Sequence, residues 1–401
     1  MPSRKSKAEG TAALKKKKRI TKRQKQKRKL IIFGVEVLCL LLLLGVLYVW
    51  SLFSKVTVDK DFSSSEAGIN EDLGDDTLIT LQGYTNIALF GLDNRTEGQY
   101  DQGLSDVIMI ASINNQTKEV KLLSVYRDTY LKVGSNKYAK ANNAYASGGI
   151  KQAIQMLNTN LDLDVTEYVC VDWAALIEAI DALGGVEIEL TKAEVKYLNQ
   201  YVKDMSKEIG SARKLVSGSG VKNLTGAQAT AYARIRYTSG DDFKRSSRQR
   251  IVLEAMLNKA KSADIGTLLD ICNAVFDDIS TSLTLKEILS LAKDVKSYQI
   301  ASTTGFPFEV TTKKLDVWGD TVIPIGLSNN VSKLHEYLFE TVDYEPSETV
   351  RMISNAIINK TGVTEDTSSI NVDKFNNTAG QTGTDFKVEE TETETESETE
   401  E

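Results

Sequence analysis

The chain has 401 residues, 41% of them apolar, and its 49 basic and 55 acidic side chains leave a formal net charge of −6. That apolar share can build a core, which excludes a wholly disordered chain, and the acidic balance excludes a uniformly basic nucleic-acid binder. One histidine, His335, and three cysteines exclude a site built on two or more histidines and a cysteine-rich zinc module.

The average charge hides three blocks. Residues 1–29 carry fourteen basic side chains and one acid, Glu9, and form a basic segment. Residues 30–50 hold 18 apolar side chains among 21. As a helix this run spans roughly 30 Å, about the thickness of a bilayer core. Basic residues crowd its N-terminal flank and are scarce just after it, so the positive-inside rule places residues 1–29 in the cytoplasm and the rest of the chain outside. The span, taken as 30–53, makes a single-pass cell-membrane anchor. A cleaved signal peptide is the rival reading, but its apolar core is usually about 7–15 residues and no small-x-small site follows here. A nucleic-acid role for the basic segment is not expected beside such a span. Residues 54–83, with S-S-S-E and E-D-L-G-D-D, read as a polar stalk.

From residue 84 the pattern becomes α/β. N-I-A-L-F (86–90), D-V-I-M-I-A-S-I (106–113) and E-V-K-L-L-S-V (119–125) read as strands, the last two joined as a hairpin by N-N-Q-T-K. Helical spacing follows at 149–160, and a short buried strand at 167–171. Asp172 can cap the next helix, which ends at Gly184-Gly185. A strand at 186–190 precedes helices at 191–206, 225–234, 246–262, 266–277, 284–297 and 328–341, with strands near 297–301 and 321–325. This predicts one large extracellular α/β domain over 84–345, a central mixed β-sheet flanked by helices. Residues 346–401 read as an extension whose tail, with eight Glu in its last 13 residues, cannot be buried. Cys170 and Cys272 both lie outside the span; a disulfide and two buried free thiols are both open.

The chemistry-bearing residues are carboxylates and arginines at strand ends and in loops. Asp93 and Arg95 follow the 86–90 strand, and Asp106 opens the next one, so two carboxylates from adjacent strands could share a hard divalent cation. Ordinary turn chemistry would also explain them. Arg127 leaves the end of the 119–125 strand, and Lys140 and Asn142 follow. The densest segment is 233–250, with Arg234, Arg236, Lys244, Arg245, Arg248 and Arg250 against Asp241 and Asp242. A helix starting near 245 would put Arg245, Arg248 and Gln249 on one face and offer its N-terminal end to an anion. Arginine suits phosphate because its planar fork donates two hydrogen bonds and stays charged. A solvated, salt-bridged helix face is the plainer alternative.

Seven motifs in order, G-L-D-N-R, S-D, L-L-S-V-Y-R-D-T, K-A-N-N-A-Y-A-S-G-G, D-A-L-G-G-V, L-T-G-A-Q-A-T-A-Y-A-R-I-R and D-F-K-R-S-S-R-Q, cover 84–255. Together they resemble the LytR-CpsA-Psr family, also called the cell-envelope-related transcriptional attenuator domain. The resemblance implies a phosphotransferase that takes a cell-wall glycopolymer (teichoic acid, capsule or other wall polysaccharide) from an undecaprenyl-diphosphate carrier and attaches it to peptidoglycan. It implies a prenyl chain in an apolar tunnel under the sheet and Mg²⁺ or Mn²⁺ at the diphosphate. Carried over by motif position, Asp93 and Asp106 would hold the metal. Arg127, Arg236 and Arg245 would hold phosphate oxygens, assisted by Arg234, Lys140 and Gln249, with Asp242 as the loop acid and Asp93 as general base. Three positions depart from the family's pattern: Tyr126 stands for a usual Pro, Leu104 for a common Arg and Lys244 for a frequent Gly. A non-catalytic module that binds or senses polyprenyl-diphosphate-linked intermediates is the alternative function.

Overall fold

The structure, a computed structural model, describes residues 64–92, 103–209, 214–236 and 241–375, together with residues 40, 43, 47, 51, 54, 57 and 58. The chain divides into residues 1–54 and 55–401. In the first unit only Leu40, Leu43, Leu47, Ser51 and Ser54 are described, so the anchor expected at 30–53 falls almost wholly outside the described residues. Among those that are described, no helix is long and apolar enough to cross a membrane. The basic segment and the acidic tail also lie outside them.

The second unit is built on a seven-stranded mixed sheet. Its strands in chain order are β1 (Thr57–Val58), β2 (Tyr84–Leu92), β3 (Ser105–Asn114), β4 (Glu119–Val125), β7 (Glu167–Val171), β10 (Ile279–Thr281) and β11 (Gln299–Phe306), and they lie in the order β1-β10-β7-β2-β3-β4-β11. β2, β3 and β4 pair antiparallel; β7 runs parallel to β2 and β11 parallel to β4. Three two-stranded ribbons accompany the sheet: β5 (Tyr130–Lys132) with β6 (Tyr138–Lys140), β8 (Val186–Leu190) with β9 (Gly220–Leu224), and β12 (Val310–Leu315) with β13 (Gly319–Pro324).

Alternation along the central strands sends side chains to two faces. Ala88, Phe90, Ile108, Ile110 and Leu123 meet Ile154 and Leu157 of helix Asn142–Leu161 and Val331 and Leu334 of helix Leu327–Phe339 in the largest core cluster. Ile87, Ala111, Ile113, Val120 and Leu122 form the opposite layer, where Leu253 and Leu257 of helix Asp241–Ser262 and Leu291 of helix Leu285–Lys293 are only half-buried. A third cluster lies between β8, β9 and helices Lys192–Ile209 and Gly226–Ala233. Asp172 caps helix Trp173–Ala182 by accepting from the Ala175 N–H at 2.9 Å, and Gly184 and Gly185 follow it at φ of 76° and 88°.

The core is wider than the 84–345 boundary expected from sequence. Helix Asp75–Gln82 stands in the segment read as stalk, with Leu81 buried. Helix Glu348–Thr361 stands in the segment read as extension, and its Val350, Ile353 and Ile357 enter the largest cluster. The helix expected at 246–262 begins at Asp241, because two acids suit the first turn of a helix. The helix expected at 149–160 starts at Asn142 and is interrupted by Gly148 and Gly149, the latter at φ 63°. β11 is longer than expected, and β12, whose sequence alternates weakly, was not expected at all. Cys170 and Cys272 are both free, Cys170 buried and Cys272 half-buried.

Candidate active site

One end of the sheet gathers the charge. In the β3–β4 pairing Met109 faces Ser124. Continuing that antiparallel register by three residues brings Asp106 opposite Arg127, and their side chains meet with Nη1 donating to Oδ1 at 2.5 Å. Arg127 also approaches Asp128 at 3.5 Å and Asp242 at 3.8 Å. Lys140, the last residue of β6, pairs with Asp128 at 3.0 Å. Arg236, just beyond helix Gly226–Ala233, lies 4.0 Å from Asp106 and 3.6 Å from Asp242. Arg245, one turn into helix Asp241–Ser262, reaches Asp242 at 3.1 Å. Four cations thus enclose three carboxylates, and the elements that deliver them are far apart in sequence.

Burial makes this net unusual. The Arg245 side chain is only 4% exposed, whereas Arg236 and Asp242 form the rim at 41% and 36%. Desolvation pushes Arg245 down to about 10, against the pull of Asp242, so it remains charged at neutral pH. Desolvation acts on Arg127 too, but Asp106, Asp128 and Asp242 outweigh it and raise its pKa. The buried Nε atoms of Arg127 and Arg245 have no hydrogen-bond partner among the described residues. Donors of this kind are rarely left without an acceptor. Both arginines line a cavity of about 200 Å³, with Tyr126 and Phe243 as its aromatic wall.

The expected residues separate into three groups. Asp106, Arg127, Lys140, Arg236, Asp242 and Arg245 converge. Arg234 does not join them, since its guanidinium lies over the Trp173 ring at 5.5 Å, and Gln249, one turn beyond Arg245 on the same helix, is buried at 7% exposure. Asp93 and Arg95 lie outside the described residues. Arg248 does not share the site with Arg245. Its Nε donates to Glu194 at 3.0 Å and its Nη1 to the Ile235 carbonyl at 3.2 Å, so it ties helix Lys192–Ile209 to the loop that carries Arg236. Arg250 is fully buried beside Tyr126 and Tyr337, and burial lowers it to about 10.

Asp128 was missed as a site residue, although it follows Arg127 directly in R-D-T; it joins Arg127 to Lys140. Tyr126, at the position where a Pro is usual, is buried, and burial pushes its phenol up to about 12. It fits because Gly305 of β11 leaves space: a Cβ there would fall 2.1 Å from the Tyr126 hydroxyl. Its ring meets Phe243 edge-on at 4.7 Å, and Phe243 stacks in turn on Phe375 at 5.9 Å. No group of three or more His, Cys, Asp or Glu side chains suited to a metal ion occurs among the described residues.

Comparison with known proteins identifies relatives of the whole domain. A model of the LytR_cpsA_psr family matches residues 53–330. A relative in Enterococcus faecalis, named polyisoprenyl-teichoic acid–peptidoglycan teichoic acid transferase TagU, is 30% identical over 275 residues, which cover 67% of this chain and 82% of that protein. The Bacillus subtilis protein of the corresponding name, TagT, is 28% identical over 301 residues, covering 72% of this chain and 90% of its own. Among solved structures, TagT bound to LI-WTA aligns over 77% of this chain and 100% of its own, with a TM-score of 0.51 and 21% identity. Protein gbs0355 of Streptococcus agalactiae aligns over 69% and 95%, with a TM-score of 0.54 and 22% identity. These two share the α/β fold. By the extent of the family match and the identity to TagU, the chain belongs to the LytR-CpsA-Psr family.

Proposed function

We propose that this chain is a cell-membrane-anchored phosphotransferase that moves a cell-wall glycopolymer from an undecaprenyl-diphosphate carrier to peptidoglycan, with its catalytic domain outside the cell. The names of the TagU and TagT relatives support the substrate class. The observation that carries the reading is the pair of arginines, Arg127 and Arg245, that line one cavity: the Nε of the buried Arg245 makes no hydrogen bond among the described residues, and that of the half-buried Arg127 has only a distant carboxylate, Asp128 at 3.5 Å. A diphosphate supplies several acceptor oxygens and the negative charge that a desolvated guanidinium requires.

Phosphoryl transfer asks the protein mainly for position and charge neutralisation. Arg127 and Arg245 form the floor of the cradle and Arg236 its rim, while Lys140 and Asp128 hold Arg127 in place. The acceptor hydroxyl attacks the phosphorus that bears the polymer, the bond from that phosphorus to the bridging oxygen breaks, and prenyl phosphate leaves. The hydroxyl proton passes to a base, for which Asp93 is the candidate. Mg²⁺ or Mn²⁺ fits the donor chemistry: Asp106 presents hard carboxylate oxygens at the cradle, and such ions are often held by one or two carboxylates plus substrate phosphates. Asp106 and Asp93 would hold it, and bound there it would neutralise developing charge. The cavity of about 200 Å³ is smaller than the roughly 300–1,000 Å³ that takes a drug-sized ligand, so it accommodates head-group chemistry, not a prenyl chain. The half-buried Leu253, Leu257 and Leu291 against the opposite sheet face offer an apolar layer for the chain.

The test uses the full chain in detergent with a polyprenyl-diphosphate-linked polymer, peptidoglycan fragments and Mg²⁺. Arg127→Ala and Arg236→Ala should each lower transfer on the order of a hundredfold or more without moving the melting temperature appreciably. Unchanged transfer by both variants overturns the arginine assignment. Donor that is retained but never cleaved would favour the binding-module reading.

A further inference from the structure

The segment after helix Glu348–Thr361 lies beyond residues 53–330, over which the family match runs, yet it returns to the cationic site. Two hydrogen bonds fasten it to β12. Ile370 donates its N–H to the Val310 carbonyl at 2.7 Å, and the Val310 N–H donates to the Ser369 hydroxyl at 3.2 Å. Val372 then turns inward and is 2% exposed, packed with Tyr126, Val310 and Val322. A single helical turn, Asp373–Phe375, lays the Phe375 ring on Phe243, with the planes 6° apart and the centroids separated by 5.9 Å. Phe243 also meets Tyr126 edge-on at 4.7 Å.

Phe243 sits in the first turn of helix Asp241–Ser262, directly after Asp242 and two residues before Arg245. Tyr126 directly precedes Arg127. The three rings therefore join the two halves of the cradle, the Arg127 half carried by the end of β4 and the Arg245 half carried by the helix. The ribbon that carries the segment is tied to the first half. Val322 donates its N–H to the Asp128 carbonyl at 3.0 Å, and Thr129 and Val322 form a parallel bridge. Charge is a poor fastening here. Besides desolvation, Arg127 and Arg236 each oppose the charge on Arg245, and Asp242, which offsets them, is shared among all three arginines. The N–H groups of a first helical turn also lack intrahelical partners, so the contacts of its side chains decide how firmly it is held. Ring contact is indifferent to the charge balance, and parallel and edge-on pairs are both favourable at these separations.

We infer that Phe375, seated by Val372, is a positioning residue that acts through Phe243 to hold Asp242 and Arg245 against Arg127. This deepens the function proposed above and rests on it. The full chain in detergent is compared as wild type, Phe375→Ala, Phe375→Tyr, Phe243→Leu and the double variant Phe243→Leu with Phe375→Ala. Hydrogen exchange of the free protein judges the clamp without reference to catalysis. The amides of residues 245–249 should exchange about fivefold faster in Phe375→Ala and at the wild-type rate in Phe375→Tyr, which keeps the ring, while the melting temperature moves by no more than about 3 °C. In transfer assays Phe375→Ala should lower kcat/KM for the lipid-linked donor about fivefold and leave KM for the acceptor within about twofold, and Phe375→Tyr should restore the donor value. In the Phe243→Leu background, Phe375→Ala should cost nothing further, because the path to the cradle is already cut. Unchanged exchange overturns the inference, and so does an equal loss of transfer in the Phe243→Leu background. Faster exchange in an active enzyme whose donor kcat/KM stays within about twofold overturns the positioning role. If exchange quickens as expected and the wild type transfers nothing, the transferase reading fails and the clamp stands.

Discussion

Arg245 and His335 show how burial settles what a single ionisable residue can do. Arg245 is nearly enclosed yet keeps its charge, because Asp242 lies 3.1 Å away and a guanidinium resists deprotonation. His335 has no such freedom. Its ring stacks on Tyr344 at 3.6 Å, and its Nε2 faces the Leu161 carbonyl at 3.1 Å and so must carry a hydrogen. Desolvation holds it down to about 4, against the pull of the Leu161 carbonyl and of Asp162. A histidine depressed in the folded state stays neutral there while the unfolded chain takes up a proton. Its contribution to stability is therefore intact above about pH 6.5 and is lost as pH falls towards 4, at about 1.4 kcal/mol per unit and about 3 kcal/mol in all. Urea denaturation at pH 7 and pH 4.5 should show the wild type losing more stability than His335→Gln by about that amount. Since the chain has one histidine, the difference between the two proteins isolates it. Sequence alone exposed His335 as unsuited to a two-histidine site; its place in the core became visible only with its neighbours.

Short elements outside the motif-bearing region hold the domain closed. The Asp162 carboxylate accepts from Asn70 at 2.7 Å, from the Ser347 hydroxyl at 2.7 Å, from the Ser347 N–H at 2.8 Å and from Tyr344 at 3.1 Å. It thereby joins the residues before β2, the end of helix Asn142–Leu161 and the start of helix Glu348–Thr361. Ser347 in turn caps that last helix by accepting from the Val350 N–H at 3.1 Å. Val350, Ile353 and Ile357 are each at most 2% exposed. Burying a side chain of this size contributes about 1.5–3 kcal/mol, against a typical domain stability of about 5–15 kcal/mol. A chain ended at residue 345 should lose its cooperative thermal transition, whereas one ended at residue 375 should keep it; circular dichroism melts compare the two. The helix was not expected although Val350, Ile353 and Ile357 recur at helical spacing, because the polar segment that follows drew the whole of 346–401 into one extension. By contrast, β2, β3 and β4 were legible, since strong apolar runs bounded by turn residues leave little choice of structure.

At the scale of the molecule, the proposed function joins a cationic cradle to a membrane-held donor. Tethering turns encounter with a lipid-linked substrate into a problem in two dimensions and raises its effective concentration. Removing residues 1–53 should raise KM for a donor embedded in liposomes by about a hundredfold while leaving KM for a detergent-dispersed donor within a few-fold. Equal KM values for the two donors in the full chain would count against a working anchor. The amino-acid sequence by itself determined the charge blocks, the apolar run, the α/β alternation and most of the residues that converge, Asp106, Arg127, Lys140, Arg236, Asp242 and Arg245, because these are properties of local pattern and of motifs in order. Only the tertiary structure decided that Arg248 leaves the site for Glu194, that Asp128 bridges Arg127 and Lys140, and that Asp320 lines the same cavity as Arg127 and Arg245. Side chains separated by up to two hundred residues meet there through strand register and helix packing, and no spacing along the chain encodes that distance.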